Sequence, residues 1–499
     1  MNIDIILMTT NYRTLQSESS NNVISINEAV NLIGTGKFQK RILFASGTCF
    51  IADSMEIMLL SFLSLLIKRD WDLGDNADFK VDSITSVMFV GSLVGTACLG
   101  PLGDKVGRKP VCLIAAFIIS FFGVATAFCS NISQLLFVRF SVGIGIGGLT
   151  VPFDVLAELV PTEIRGRYLL LIEYFWTAGS ILVPVLAYLT LELSWRLFII
   201  LCAVPCFISL IVTHRFVPES PRWLICKGRN EEALHILRNA ARVNGKDPNI
   251  LFPEGCTISM DEEEGTSNVC DLFQPRWRRV TLLLFVVWVG FAFSYYGVIM
   301  TVTKIFGNVD EKNEEGHEES FDYGAILISS SAEIMGTAIV IFLVDRIGRI
   351  PTQVSAYSIG GIVVFLLCYF ANDLSRSMLI TLAFIGRVAE MSGSCVTWIS
   401  TAEIYPTEIR STGHSATNAV ARLGGFMMPY ILSGVASLQN VGFIMLFIHI
   451  CTALSASYLP ETKGLELGHV HLPDEDTRRK NTGSDNSTVH ELADGLEML

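Results

Sequence analysis

Apolar stretches of about 20 residues, the length of helix that crosses a hydrocarbon layer of roughly 30 Å, recur twelve times along the chain. They begin near residues 42, 83, 110, 133, 168, 196, 279, 322, 352, 377, 411 and 440, with polar or charged connections between them. The pattern predicts an all-α membrane protein of twelve transmembrane helices. The first run, Ile42 to Ile67, follows some forty polar or mixed residues and has no small-residue cleavage site after it. It is read as an anchor, not a removed signal peptide. An even number of spans puts both termini on one side.

Basic residues choose that side. Lys105, Arg108, Lys109, Arg165, Arg167, Arg346, Arg349 and Arg410 fall in short even-to-odd connections, and the long loop after span six adds Arg222, Lys227, Arg229, Arg276, Arg278 and Arg279. These loops and both termini are expected in the cytosol. The stretch NVDEKNEEGHEES between spans seven and eight reads as a solvated external loop. Asn131 in NIS is an external glycosylation sequon in a very short loop. Nothing in the chain chooses between a vesicle membrane and the plasma membrane.

Composition narrows the class. With 51% hydrophobic and 17% charged residues, a soluble fold would expose too much apolar surface, so the bilayer is the first partner. A net charge of -12 without a Lys/Arg tract excludes a nucleic-acid partner. The 12 Cys form no CxxC pair or metal-like cluster and read as reduced, buried hydrophobes; no metal and no cofactor are expected. No GxxxxGK[ST] occurs, so an ATP-driven pump has no engine here. GIGIGG lies inside a span and reads as close helix packing. His214, His235, His317, His414 and His449 are dispersed and read as surface or interface positions, so no catalytic set appears and the chain is not read as an enzyme.

The chain repeats itself. AELVPTEIRG (Ala157 to Gly166) recurs as AEIYPTEIRS 245 residues later, LGDKVGRKP (Leu102 to Pro110) as LVDRIGRIP 241 later, and PESPRWL from Pro218 as PETKGLE from Pro460. Shared order and spacing imply two six-span halves related by duplication, with a cleft between them. The expected organisation is 1–41 cytosolic segment, 42–217 first bundle, 218–278 cytosolic linker with the amphipathic RNEEALHILRNAARVNG, 279–459 second bundle and 460–499 disordered tail.

These motifs carry a resemblance. Gly100-Pro-Leu-Gly-Asp104-Lys-Val-Gly107-Arg108-Lys109 resembles the G-x-L-x-D-x-x-G-R-K loop of major facilitator superfamily transporters, and Arg139 with Gly143, Gly145 and Gly147 resembles their fourth-helix R-x-x-x-G-x-G-x-G. PESPRWL and PETKG are similar to sugar-porter marks. INEAVNLIGTGKFQ, ADSMEIMLLS, LLIEYFWTAGS, FSYYG and ARLGGFMMP are similar to the synaptic vesicle 2-related (SVOP-like) group and plant niacin-type, organic ion transporters, from about residue 25 to residue 465. The resemblance implies the major facilitator fold. It also implies that Trp176, Tyr295 and Tyr296 line the central cavity, whereas on span ten Ser394 and Trp398 depart from the relatives' pattern.

The charges divide into two sets. Asp104, Arg108, Glu158, Arg165 and Glu219, repeated as Asp345, Arg349, Glu403, Arg410 and Glu461, are expected to form a cytosolic layer that gates access. Arg139 is counted with the gating residues and is expected to pair with an acid from span one or five. The second loop copy has Ile341 where the first has Gly100, which predicts looser packing and a smaller gating role.

Within the membrane, ionisable groups cost roughly 2.5 to 3.5 kcal/mol each and normally face protein or water. Asp53 and Glu56, i and i+3 on one helix face, read as a proton or cation-substrate site, with one acid as a structural pin the alternative. Asp154, Glu173, Glu333, Arg387, Glu390 and Arg422 complete the set. Arg387 fits either a carboxylate clamp or a partner for Glu390 or Glu333; Arg422 is placed at the cavity because Gly424, Gly425 and Pro429 interrupt its helix. Trp176, Tyr295, Tyr296 and Trp398 sit beside small residues that leave ring faces open for stacking. The expected function is secondary transport of a small organic ion, coupled to protons, by a monomer. The alternative is a non-transporting vesicle scaffold or receptor on the same fold. A cationic substrate would use Asp53, Glu56 and the aromatics; an anionic one needs Arg387 or Arg422 unpaired.

Overall fold

The computed structural model describes residues 23–149, 151–260, 268–307, 321–435 and 437–464. The acidic stretch with His317 that was read as an external loop, the first 22 residues and the tail beyond Gly464 lie outside the described residues. The first half holds α1 (Lys37–Asp70), α2 (Ala77–Val106), α3 (Arg108–Ala125), α4 (Ile132–Gly148, continued as Val151–Leu159), α5 (Arg165–Thr190) and α6 (Trp195–Phe216). The second half holds α7 (Arg278–Ile305), α8 (Tyr323–Ile347), α9 (Arg349–Tyr369), α10 (Arg376–Ile404), α11 (Thr407–Gly434) and α12 (Leu438–Ser457).

Among the described residues eleven helices are long and apolar enough to span a membrane. The twelfth, α11, has the length at 28 residues but carries polar residues, among them His414, Asn418 and Arg422, that lower its hydropathy. Several helices begin before their apolar run. At about 1.5 Å per residue, the 34 residues of α1 reach about 51 Å, so its first turns project beyond the hydrocarbon.

The duplication is visible in the packing. In the first half α1 packs on α5 and α6, α2 on α4, and α3 on α4 and α6; in the second, α7 packs on α11 and α12, α8 on α10, and α9 on α10 and α12. Each contact has its counterpart. The halves meet through α2 with α11 and α5 with α8, again an equivalent pair. Glycines set the closest approach: a Cβ at Gly143 would run into the Met88 carbonyl and one at Gly147 into the Ser92 carbonyl, so α4 lies backbone to backbone on α2.

Residues from the segment before α1 and from the linker between the halves form one cap. Strand β1 (Val23–Ser25) pairs in parallel with β2 (Thr257–Ser259), a small departure from an all-α chain. Ser25 caps the helix Ile26–Ile33, whose apolar face packs with that of Asn230–Val243 and with the start of α1. Asn244 holds the joint: its Oδ1 accepts from Phe38 N at 2.9 Å and its Nδ2 donates to Gln39 Oε1 at 2.8 Å, while Gln39 Nε2 donates to the Leu159 carbonyl at the end of α4. The cap therefore rides on the first half.

Candidate functional site

Between the halves lies a central cavity of about 40 Å³, room for a few water molecules. The first half contributes Phe50 and Asp53 from α1, Leu149 after the first piece of α4, and Glu173 and Trp176 from α5. The second contributes Trp288, Phe291, Tyr295 and Tyr296 from α7, Ser394 and Trp398 from α10, and Asn418, Ala421 and Arg422 from α11. Two walls of contact close it. At one end Ser433 donates to Asp82, Ser83 meets the Tyr430 hydroxyl at 3.2 Å and Thr303 donates to Ser61 at 3.1 Å. At the other end Phe153 of α4 packs on Trp398 and stacks on His414, with ring centroids 5.5 and 6.0 Å apart.

The structure sorts the buried charges. Glu56, though one turn from Asp53, faces into the first bundle: Arg139 Nη1 donates to its Oε2 at 2.8 Å and Nη2 donates to the Thr126 hydroxyl, all fully buried. On an α-helix i and i+3 differ by about 60° in azimuth, enough to put Asp53 in the cavity and Glu56 out of it. Arg139 lies about two turns in from the start of α4, and its partner is an acid of span one, one of the two spans expected to supply it. Arg387 Nη2 donates to Glu333 Oε1 at 2.6 Å, both buried, so Arg387 is a partner of Glu333 and neither lines the cavity. Glu390 meets His449 Nε2, whose Nδ1 lies 2.7 Å from the Met445 carbonyl. His449 is thus a buried partner of an acid, not a surface position.

Asp53, Glu173, Trp176, Tyr295, Tyr296, Trp398 and Arg422 do come together around the cavity. Asp53 Oδ1 and Arg422 Nε are buried without a protein hydrogen-bond partner. Trp176 Nε1 donates to the Tyr295 hydroxyl at 2.6 Å, and that hydroxyl donates to Glu333 Oε1 at 2.7 Å. A bond between the halves is thereby wired to the Glu333–Arg387 pair. Sequence reasoning missed Phe50, Trp288, Phe291 and Asn418 as lining residues. Asn418 had a legible signal, since it stands four residues before Arg422 on the same helical face; the aromatics had none among 31 Phe and 7 Trp.

The charges read as a gating layer brace each half internally. Glu219 of PES accepts from the Arg108 and Lys109 backbone N–H groups at 2.7 and 3.2 Å, capping α3, and Arg108 pairs with Asp104 at 3.1 Å. Ser220 donates to Glu158, and Arg165 Nη2 reaches the Val160 carbonyl at 3.4 Å. In the repeat Glu461 accepts from Arg349 N and Ile350 N at 2.9 and 3.0 Å, capping α9. Arg349 there grips Glu403 through two bonds of 2.8 and 2.9 Å and Asp345 through one of 3.0 Å, while Arg410 Nε donates to the Tyr405 carbonyl. Gly107 and Gly348 take φ of +113° and +107°, and a Cβ at either would strike the capping glutamate. Nothing lies within 4 Å of a Cβ placed at Gly100, so the first loop copy does not need a glycine there for close packing.

A two-bundle helical protein with a charged, aromatic cavity at the joint of its halves is a membrane carrier. The profile of the family described as "Sugar (and other) transporter" matches residues 39–472, and the chain belongs to that family of the major facilitator superfamily. It is 31% identical over 461 residues to the synaptic vesicle 2-related protein of Bos taurus, covering 88% of this chain and 81% of that one. It is 32% identical over 457 residues to the organic cation/carnitine transporter 7 of Arabidopsis thaliana, covering 83% and 89%. Among solved structures, the proton:xylose symporter XylE bound to 6-bromo-6-deoxy-D-glucose aligns with TM-score 0.68 at 20% identity over 86% of this chain and 98% of that one, which shows the shared fold.

Proposed function

We propose that this transporter carries a small organic ion through the central cavity by alternating access, coupled to protons, with both termini in the cytosol. The observation that carries the reading is the cavity itself. It lies at the joint of the two halves, is walled by aromatic faces, and holds Asp53, Glu173 and Arg422 while Glu56, Arg139, Glu333, Arg387 and Glu390 are paired elsewhere. Two acids against one base leave one carboxyl without a basic partner in a buried site, and a proton or a cation neutralises it. Rocking of the halves opens one wall as the other closes. The relative named an organic cation/carnitine transporter supports an organic ion; the symporter of known structure shares only the fold.

Uptake into proteoliposomes, with labelled organic cations and aromatic carboxylates and with or without an inward proton gradient, tests this. Gradient-driven uptake of at least one compound is expected, and Asp53→Asn and Arg422→Ala each abolish it while the purified protein stays monodisperse. Wild-type rates in either variant remove that residue from the mechanism. A folded wild-type protein that moves nothing refutes the reading.

A further inference from the structure

The joint between α5 and α8 holds two carboxyls, one from each half. Glu173 and Trp176 stand i and i+3 on one face of α5. Trp176 Nε1 donates to the Tyr295 hydroxyl, and that hydroxyl donates to Glu333 Oε1 of α8. Glu173 is thereby brought to the same joint, within electrostatic reach of Glu333, and the Cys395 thiol of α10 lies within reach of both. The two acids are bonded unequally. Glu333 takes both of its donors, Tyr295 and Arg387, on Oε1, while Oε2 is buried with no donor. The Glu173 carboxyl, also buried, has neither a hydrogen bond nor an ion pair among the described residues. The nearby bases are taken: Arg387 holds Glu333, and Arg422 interacts with Asp53 and the Tyr296 hydroxyl. Two carboxylates at so buried a joint repel each other and forgo hydration. A proton on Glu173 removes the repulsion and supplies the donor that Glu333 Oε2 lacks.

Resting on the transport reading above, we propose that Glu173 and Glu333 hold the coupling proton between them, Glu173 carrying it and donating to Glu333 Oε2. With the proton in place the O–H bond ties α5 to α8, and so the first half to the second. When the proton leaves for cavity water, two like charges face each other and favour separation of the halves. Tyr295 and Arg387 are positioning residues, holding Glu333 by Oε1 so that Oε2 is left for Glu173. The ionisable groups facing the pair are Tyr295 of α7 with Arg387 and Cys395 of α10; Asp53 of α1 and Arg422 of α11 line the same cavity.

The test uses the full chain in proteoliposomes, with the proton itself as probe. Infrared difference spectra between about pH 9 and 5 follow the carbonyl stretch of protonated carboxyls. Glu173→Gln is expected to remove one band. Glu333→Gln deletes the neighbouring negative charge and frees Arg387, so the Glu173 band should appear about one pH unit or more lower. Where that variant does not fold, Glu333→Gln with Arg387→Gln removes the pair whole, and a shift of about half a pH unit or more in the same direction is expected. In uptake of the labelled organic cations and aromatic carboxylates, stimulation by an inward proton gradient is present in wild type and lost in Glu173→Gln. A full set of bands in Glu173→Gln, an unmoved midpoint when Glu333 is replaced, or gradient stimulation that survives in Glu173→Gln overturns the proposal and leaves transport standing. A wild-type protein that moves nothing overturns both.

Discussion

Glu56→Gln removes one charge from the Glu56–Arg139 pair without removing its volume. Both side chains are at most 1% exposed, and Arg139 donates to Glu56 at 2.8 Å and to Thr126. The guanidinium left behind is buried and uncompensated. Breaking such a pair from one side costs about 3–5 kcal/mol, whereas replacing both partners by apolar residues of similar volume is often neutral or better. The expected pattern is therefore a loss of about 3–5 kcal/mol for Glu56→Gln or Arg139→Met alone, and recovery of at least half of it in Glu56→Leu with Arg139→Met. Gly123 of α3 adds a third point, because a Cβ there would sit 2.9 Å from Glu56 Oε1; Gly123→Ala crowds the carboxylate and weakens the pair. Reversible unfolding in detergent, run as a double-mutant cycle, reads these values. Substrate preference in the folded double variant should match wild type, because Glu56 does not line the cavity. Single variants within about 0.5 kcal/mol of wild type, or a double variant as costly as the two singles summed, would refute the claim that the pair acts as a buried unit.

Other outcomes follow from the same coordinates. Tyr295→Phe strips Trp176 of its acceptor and Glu333 of a donor, at about 1–3 kcal/mol for each buried group left unpaired; uptake should fall while Tyr296→Phe leaves the Glu333 contact in place. Gly147→Val drives a side chain into the Ser92 carbonyl and Thr96 N, so α2 and α4 separate and the protein is lost from the monodisperse peak on size exclusion. Asp322 caps α8 and pairs with Arg376 at 2.6 Å, which holds its carboxyl below the usual value. A depressed carboxylate stabilises the fold above its unfolded pKa of about 3.9 and loses that contribution as pH falls through the native value. Unfolding scans should show no change from this pair between about pH 7 and 5, a decline below about pH 4, and a smaller decline in Asp322→Asn.

Much of this architecture was readable along the chain, and the limits of the reading are physical. Hydrophobic length is a local property, so spans were found within a few residues, although α1 and α2 extend past their apolar runs because backbone hydrogen bonding continues into the headgroup region. Motif recurrence matched Glu219 with Glu461 across the duplicated halves, but that each caps a helix by accepting from backbone N–H groups was visible only in the structure. The joining of the first segment to the linker was not legible, because β1 and β2 are separated by more than two hundred residues and three residues of strand carry no periodicity. His449 was set aside for a similar reason: its partner Glu390 is 59 residues away on another helix.

Sequence alone determined that this chain is a duplicated, twelve-helix membrane protein with an excess of acids among its buried charges, because span length, loop charge and repeat order need no knowledge of neighbours. Only the tertiary structure decided which of those charges neutralise one another. Helix rotation sends Glu56 to Arg139, Glu333 to Arg387 and Glu390 to His449, and leaves Asp53, Glu173 and Arg422 around the cavity. A turn of a few tens of degrees in any of these helices would exchange the partners, and a hydropathy pattern is blind to azimuth.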